Sequence, residues 1–472
     1  MASALLRADA AWRLGPRAVG LGLWGKGPGR WLAGRRLGTC QTDALAGRDL
    51  RPAWEANRWT SLGDDPETAC TDWMAANPAF RGPQWLCGQE AALRVLHLAE
   101  RLPRPLPAWA RPLLLVHARR IAANPAYAMA QDNNHPISEA AGLLACGMLL
   151  GEDRMAARGA RRLDGAVARL VAPDGGFAQP SPAYHRLMLD VLVTAESLRR
   201  RWGGSPTLAT TLVRARAATN LLRQFTCPHS GALPRIGHQD GSAFDGSQDA
   251  RGSLARAEAT FGAGPARAAW QAAGFRGWAS AGARAILREG GTRFRPAHAD
   301  FLHLDLWDGP LNLLRDGGTG AYNPAPEDAW WLDHFWSIAA HNTVQFDADE
   351  PLPRVSRFLH ARWPATGDGW VRDWQGRRQA RQVEPDGRQW RVTDRLDGPF
   401  HHATLRWRLA PGDWRLTADG VEGPAASIRV TGTPRLEQGW ESLAYGEVSP
   451  CPVLVVELGP ARLAETVIRL PT

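Results

Sequence analysis

Polar side chains crowd the mouth of an apolar run at "QDNNHPISEAAGLL", residues 131–144, where Asp132, Asn133, Asn134 and His135 stand in a row and Glu139 follows one turn later. Such a cluster can cap a helix, because Asn and Asp side chains accept from the first free backbone N–H groups. It can equally line a cleft and hold an anionic ligand group through its amide and imidazole donors. A second stretch, "APDGGFAQPSPAYHRLMLD", opens another apolar helix with the pair Tyr184–His185, in a chain whose tyrosines stand only at 127, 184, 322 and 445. A phenol with an activating neighbour can transfer a proton. The alternative is a ring packed for its area, with its hydroxyl tipped into water. His298, Asp316 and His341 fall on successive strand-like segments. Two imidazoles and a carboxylate suit zinc, and histidines near strands are also satisfied by ordinary hydrogen bonds.

These residues need a scaffold, and the hydrophobic period describes one. From about Arg51 to Ser280 apolar residues recur at three- and four-residue spacing between Pro and Gly breaks, as in "GQEAALRVLHLAERLP", where Ala92, Leu96, Ala99 and Leu102 share a face. Helices joined in succession by short polar loops predict an α/α bundle or toroid. After about Ile286 the period falls to two, in segments such as "FLHLDLWDG", "RQWRVTDRLDG" and "PVLVVELG", which predicts an antiparallel β-sandwich. The reading is therefore an N-terminal extension (1–48), a helical toroid (49–280) and a sandwich (281–472), with no fixed-period repeat to support a solenoid.

Composition narrows the function classes. With 44% hydrophobic and 22% charged residues over 472 positions, the chain reads as globular and long enough for two cores. A net charge of +9 favours an acidic partner, but Lys26 is the only lysine and the arginines are scattered, with no basic run and no nucleic-acid motif. The six cysteines form no C-x-x-C pair, so neither a disulfide framework nor a thiolate metal site is expected. No stretch reaches the length of a membrane span. The N-terminal "MASALLRADAAWRLGPRAVGLGLWGKGPGRWLAGRRLG" lacks an apolar run of signal-peptide length, which reads as a cytoplasmic protein. Most of the 22 tryptophans are expected in the core.

Together, "NNHPISEAAGLL", "DGGFAQPSPAYHRLMLD", "RPAHADFLHLDLWDGPLNLLRDGGT" and "AAHNTVQFD" resemble motifs of the heparinase II/III-like polysaccharide lyases, in the family's order, and "LPRIGHQDGS" resembles its glycine and aspartate loop. The resemblance implies an α/α toroid followed by an antiparallel β-sandwich, a periplasmic or cell-envelope setting, and β-elimination at a uronic acid of an acidic polysaccharide. It assigns Asn134 as the donor that neutralises the uronate carboxylate, with His135 beside it, and Tyr184 as the catalytic tyrosine, with His185 as neighbour. Asn133, Glu139, His238 and Asp240 become substrate-binding candidates. His298, Asp316 and His341 match positions that in some members hold a structural zinc; no organic cofactor is implied. The chain departs from the family at Pro296, where some members carry a catalytic histidine, and at His238, where a smaller or acidic residue is expected. Two other functions stay open: a glycoside hydrolase using Glu139 and Asp240 as its acid pair, and a noncatalytic glycan-binding protein.

Overall fold

The computed structural model describes residues 4–24, 49–291, 294 and 296–471. Helices α1 (Ala4–Leu14) and α2 (Pro16–Trp24) precede a helical body. That body comprises α3 (Arg51–Glu55), α4 (Pro66–Ala76), α5 (Gly88–Arg101), α6 (Ala110–Ala122), α7 (Pro125–Ala130), α8 (His135–Leu150), α9 (Asp153–Leu170), α10 (Pro182–Arg201), α11 (Ala209–Phe225) and α12 (Arg251–Phe261). It forms an α/α toroid in which α8 packs against α5, α6, α9 and α10. Helix α8 is apolar on every face and all of it but His135 and Met148 is buried, as a central helix must be. It stops where Gly151 turns left-handed (φ +71°). The N–H groups of Gly151 and Glu152 then return to the carbonyls of Met148 (3.3 Å) and Gly147 (2.8 Å), satisfying two end carbonyls. Helix α9 is amphipathic, burying Ala156, Gly159, Ala160, Leu163, Ala166, Val167 and Leu170 at three- and four-residue spacing.

Around α5 the toroid encloses a charge. Arg94 is fully buried, its guanidinium 4.6 Å from the ring centre of Trp73, 5.4 Å from Trp85 and 5.9 Å from Trp59. Its Nε donates to His117 Nε2 (3.2 Å) and its Nη2 to the Gln84 carbonyl (2.9 Å). Burial pulls this guanidinium down to about 9, against the nearby Glu90 carboxylate.

Among the described residues the second half forms five-, eight- and four-stranded antiparallel sheets and a two-stranded ribbon. The centre of the largest sheet is made by Arg378–Asp386, Gln389–Asp397 and Leu463–Arg469. Strand Gln389–Asp397 alternates strictly, sending Trp390, Val392 and Leu396 into a core shared with Trp407, Leu454 and Ile468. The sheets start earlier than the hydrophobic period indicates. Ala269–Ala272 pairs with Phe275–Ser280 through a two-residue turn, Ala273–Gly274, with both φ angles positive (+59° and +74°). The strand region thus begins at Ala269, not at residue 281. This hairpin docks on the toroid, where Phe275 meets Phe225 edge-on at 5.1 Å. Arg284 on the next strand donates to the carbonyls of Phe225 (2.9 Å) and Thr226 (2.8 Å), so a cation closes the C-terminus of α11. Among the described residues no helix is long and apolar enough to cross a membrane.

Candidate active site

Tyr184 is the third residue of α10. Pro182 opens that helix and the Ser181 hydroxyl accepts from the Tyr184 N–H (3.4 Å), so its first turn is held by local chemistry. The loop between α11 and α12 runs against this turn. Gly237 has φ +71°, and a Cβ there would lie 2.3 Å from the Pro180 carbonyl oxygen, an approach open to glycine alone. Three residues on, Asp240 accepts a hydrogen bond from the Tyr184 hydroxyl (2.8 Å). The same hydroxyl lies 3.0 Å from that of Tyr322, which comes from the strand half, so the phenol sits where the two domains meet. Arg51 completes the group by donating to Asp240 and to the Ser242 hydroxyl. Tyr445 accepts from the Tyr322 backbone N–H (2.8 Å) and donates to Asp49.

The electrostatics follow from this enclosure. Burial alone would raise the Asp240 carboxyl, but Arg51, with Arg58 behind it, holds it below the usual carboxylate range. Burial and then the Asp240 charge push Tyr184 well above 10, opposed by Arg51. The resting pair is a neutral phenol donating to a carboxylate. Tyr184 thus rests protonated, and a phenolate formed there would face Arg51 and the Tyr322 hydroxyl.

The polar run before α8 divides its work. Asn133 Oδ1 accepts from the His135 N–H (3.1 Å), a local turn bond. Asp132 is ion-paired with Arg17 and with Arg169 (2.7 Å). Asn134 occupies the N-cap position without capping, and its Nδ2 is buried with no hydrogen-bond partner. The capping alternative therefore fails for Asn134, whose amide donor is unspent. His135 Nδ1 lies 3.3 Å from Gln131 Nε2 and 3.8 Å from Cys87 Sγ. Glu139 packs against Gly88, where a Cβ would lie 2.6 Å from Oε1, and burial pushes it up to about 8, against His135. It is a buried, protonated acid behind His135.

His185 does not join the tyrosine network. Its Nε2 donates to the Ala218 carbonyl (2.8 Å), its ring meets Phe225 edge-on, and burial brings it down to about 4. It is a neutral packing residue, and Arg51 is the cation beside the phenol. His238 contacts His298 at 4.8 Å, Phe358 at 5.5 Å and Tyr322 at 5.8 Å between ring centres, which places it between the tyrosines and the histidine cluster.

In that cluster, His303, Asp316 and His341 bring their donor atoms within 4.8 Å of one another. His303 thus enters a group expected to contain His298. Both His303 nitrogens are engaged, however: Nδ1 accepts from the Asn342 N–H (2.9 Å) and Nε2 lies 3.4 Å from Asp305. His341 Nδ1 bonds to Asp316 Oδ2 (2.8 Å). His341 Nε2 and His298 Nδ1 are buried without partners, on rings 5.5 Å apart. Arg51, Tyr322, Tyr445 and His303 escaped the sequence reading. Scarcity was the available signal, since three of the chain's four tyrosines meet here.

Residues 263–457 match the family model "Heparinase II/III-like, C-terminal". The fold is similar to a crystal structure of heparinase III (TM-score 0.65, 16% identity, 86% of this chain and 72% of that one). It is also similar to the heparan sulfate lyase HepC from Pedobacter heparinus (TM-score 0.58, 16% identity, 88% and 75%). No curated protein sequence matches the chain. Residues 263–457 are therefore similar to the heparinase II/III-like C-terminal domain, and the chain shares its fold, a helical toroid followed by antiparallel sheets, with the heparinase III structures.

Proposed function

We propose that this protein is a polysaccharide lyase that cleaves an acidic, uronate-containing polysaccharide by β-elimination. The observation that carries the reading is the Tyr184 hydroxyl, held between Asp240 and Tyr322 with Arg51 alongside. The C5 proton of a uronate is weakly acidic while the adjacent carboxylate keeps its charge, so a donor must neutralise that carboxylate. The free Asn134 amide is that donor. His135 takes the C5 proton, the C5–H electron pair forms the C4=C5 bond, and the C4–O bond breaks. Tyr184 gives its proton to the departing glycosidic oxygen, leaving a phenolate beside Arg51. Purified protein should release products with the ultraviolet absorbance of an unsaturated uronate when screened against alginate, heparan-type, hyaluronan-type and bacterial acidic polysaccharides. Tyr184→Phe keeps the ring and removes the proton, so turnover should vanish while folding persists. A Tyr184→Phe rate near wild type would end this mechanism.

Zinc belongs to the same reading. The unpartnered His298 Nδ1 and His341 Nε2, on rings 5.5 Å apart, would be the nitrogen ligands, and the Asp316 carboxylate, bonded to His341 Nδ1, would orient that ring. Bound there, it would crosslink segments of the strand half. Chelation should then lower the melting temperature, and elemental analysis without a stoichiometric metal would remove the site. One observation favours hydrolysis instead: Glu139 is held protonated and Asp240 ionised, the split that an acid and its partner carboxylate require. Reducing ends appearing without ultraviolet absorbance would select that reading.

A further inference from the structure

Helices α1 and α2 precede the toroid and touch both halves of the molecule. On the toroid side, α2 packs on α7, and Arg17 pairs with Asp132. On the strand side, α1 packs on the ribbon of Arg354–Ser356 and Leu359–His360. There Asp9 accepts from the Arg362 backbone N–H (2.5 Å) and from Arg13 Nε (2.7 Å), while Arg13 lies 5.9 Å from the Trp363 ring centre. Arg17 is fixed within its own hairpin as well, through Nε to the Leu14 carbonyl (2.8 Å) and Nη2 to the Arg13 carbonyl (3.3 Å).

The target of this bracing is specific. Asp132 is 3% exposed and left-handed (φ +49°), a conformation that aspartate tolerates but does not prefer. Its oxygens go one each to Arg17 and to Arg169, and Arg169 is anchored on α9. The two guanidiniums flank one ring, Phe294, at 5.9 Å and 5.3 Å. Asp132 stands two residues before Asn134, and Phe294 four before His298. A single side chain of the hairpin thus contacts both loops that carry candidate site residues. A buried carboxylate is held in one geometry only while its cations are in place.

We infer that Arg17 is a positioning residue for the Asn134 donor, and that the α1–α2 hairpin braces the 132–135 loop of the toroid against the strand domain. The choice of Asn134 as the group positioned rests on the lyase reading. The bracing itself does not. Arg17→Ala, Arg17→Lys and the exposed control Arg7→Ala are compared by backbone hydrogen exchange over residues 132–138, and by kcat and KM on whichever acidic polysaccharide the wild type cleaves. Arg17→Ala should speed exchange in that loop and lower kcat by about tenfold, the scale of one lost charge-assisted hydrogen bond, with KM little changed. Arg17→Lys should recover part of both effects and Arg7→Ala should have neither. Should Arg17→Ala fail to fold, Asp9→Ala, which frees the strand-side anchor, should move exchange in the same direction. Unchanged exchange in the folded variants overturns the inference. Faster exchange in Arg17→Ala, in a protein whose wild type cleaves no acidic polysaccharide, would leave the brace standing and remove the lyase reading.

Discussion

A carboxylate as enclosed as Asp240 stays ionised only with a cation against it, and Arg51 supplies that charge. Removing the cation strands a buried charge, so Arg51→Ala should cost about 3–5 kcal/mol, read as a shift in the urea midpoint. Asp240→Asn tests the opposite term. The Asp240 charge is one cause of the raised Tyr184 phenol, so neutralising it should move the phenol downward and shift the alkaline limb of the pH–rate profile to lower pH. An unmoved limb would separate Tyr184 from the rate. Asn134 and Tyr184 are legible in the sequence because each opens a helix within a compact motif. Arg51 and Tyr322 are not, since they reach the site from 133 residues before and 138 residues after Tyr184, among many residues of the same kind in the case of arginine. His185 misleads by adjacency: successive helical residues point about 100° apart, so the neighbour of an inward phenol faces another helix.

Helix periodicity exposes α8 and α9, but not how closely they pass. A Cβ at Gly159 would lie 2.4 Å from the Leu144 backbone nitrogen, whereas one at Gly165, on the same helix, meets nothing within 4 Å. The same change should therefore have opposite signs. Gly159→Ala forces two backbones apart and should destabilise by about 1–3 kcal/mol or more. Gly165→Ala should stabilise by about 0.5–1 kcal/mol through helix propensity. Thermal melts of both variants check the pair, and equal shifts would contradict the packing. The early start of the strand region was hidden for a related reason. "AWQAAGFRGWAS" is rich in alanine and glycine, and its state is decided by pairing with Ala283–Arg288, not by local preference.

Over the whole molecule, acid should be the weak direction. Burial holds His117 down at about 3 and His185 at about 4, so both fold neutral, while the unfolded chain takes up protons below pH about 6.5. Their stabilisation is complete above that pH and is lost as pH falls toward the folded values, at about 1 kcal/mol each by pH 5.5. Urea midpoints should fall between pH 6.5 and 4.5, and His185→Gln should shallow that slope by one proton; an identical slope would deny His185 its part. The cage around Arg94 carries a last consequence. Trp59 and Trp73 stand edge to face with ring centres 5.1 Å apart, and Trp73 and Trp85 lie 6.1 Å apart, close enough for their excited states to couple. That geometry gives the toroid a coupled-tryptophan contribution to circular dichroism, which a Trp73→Phe difference spectrum would separate from that of the Trp330–Trp440 pair, 5.4 Å apart in the strand half.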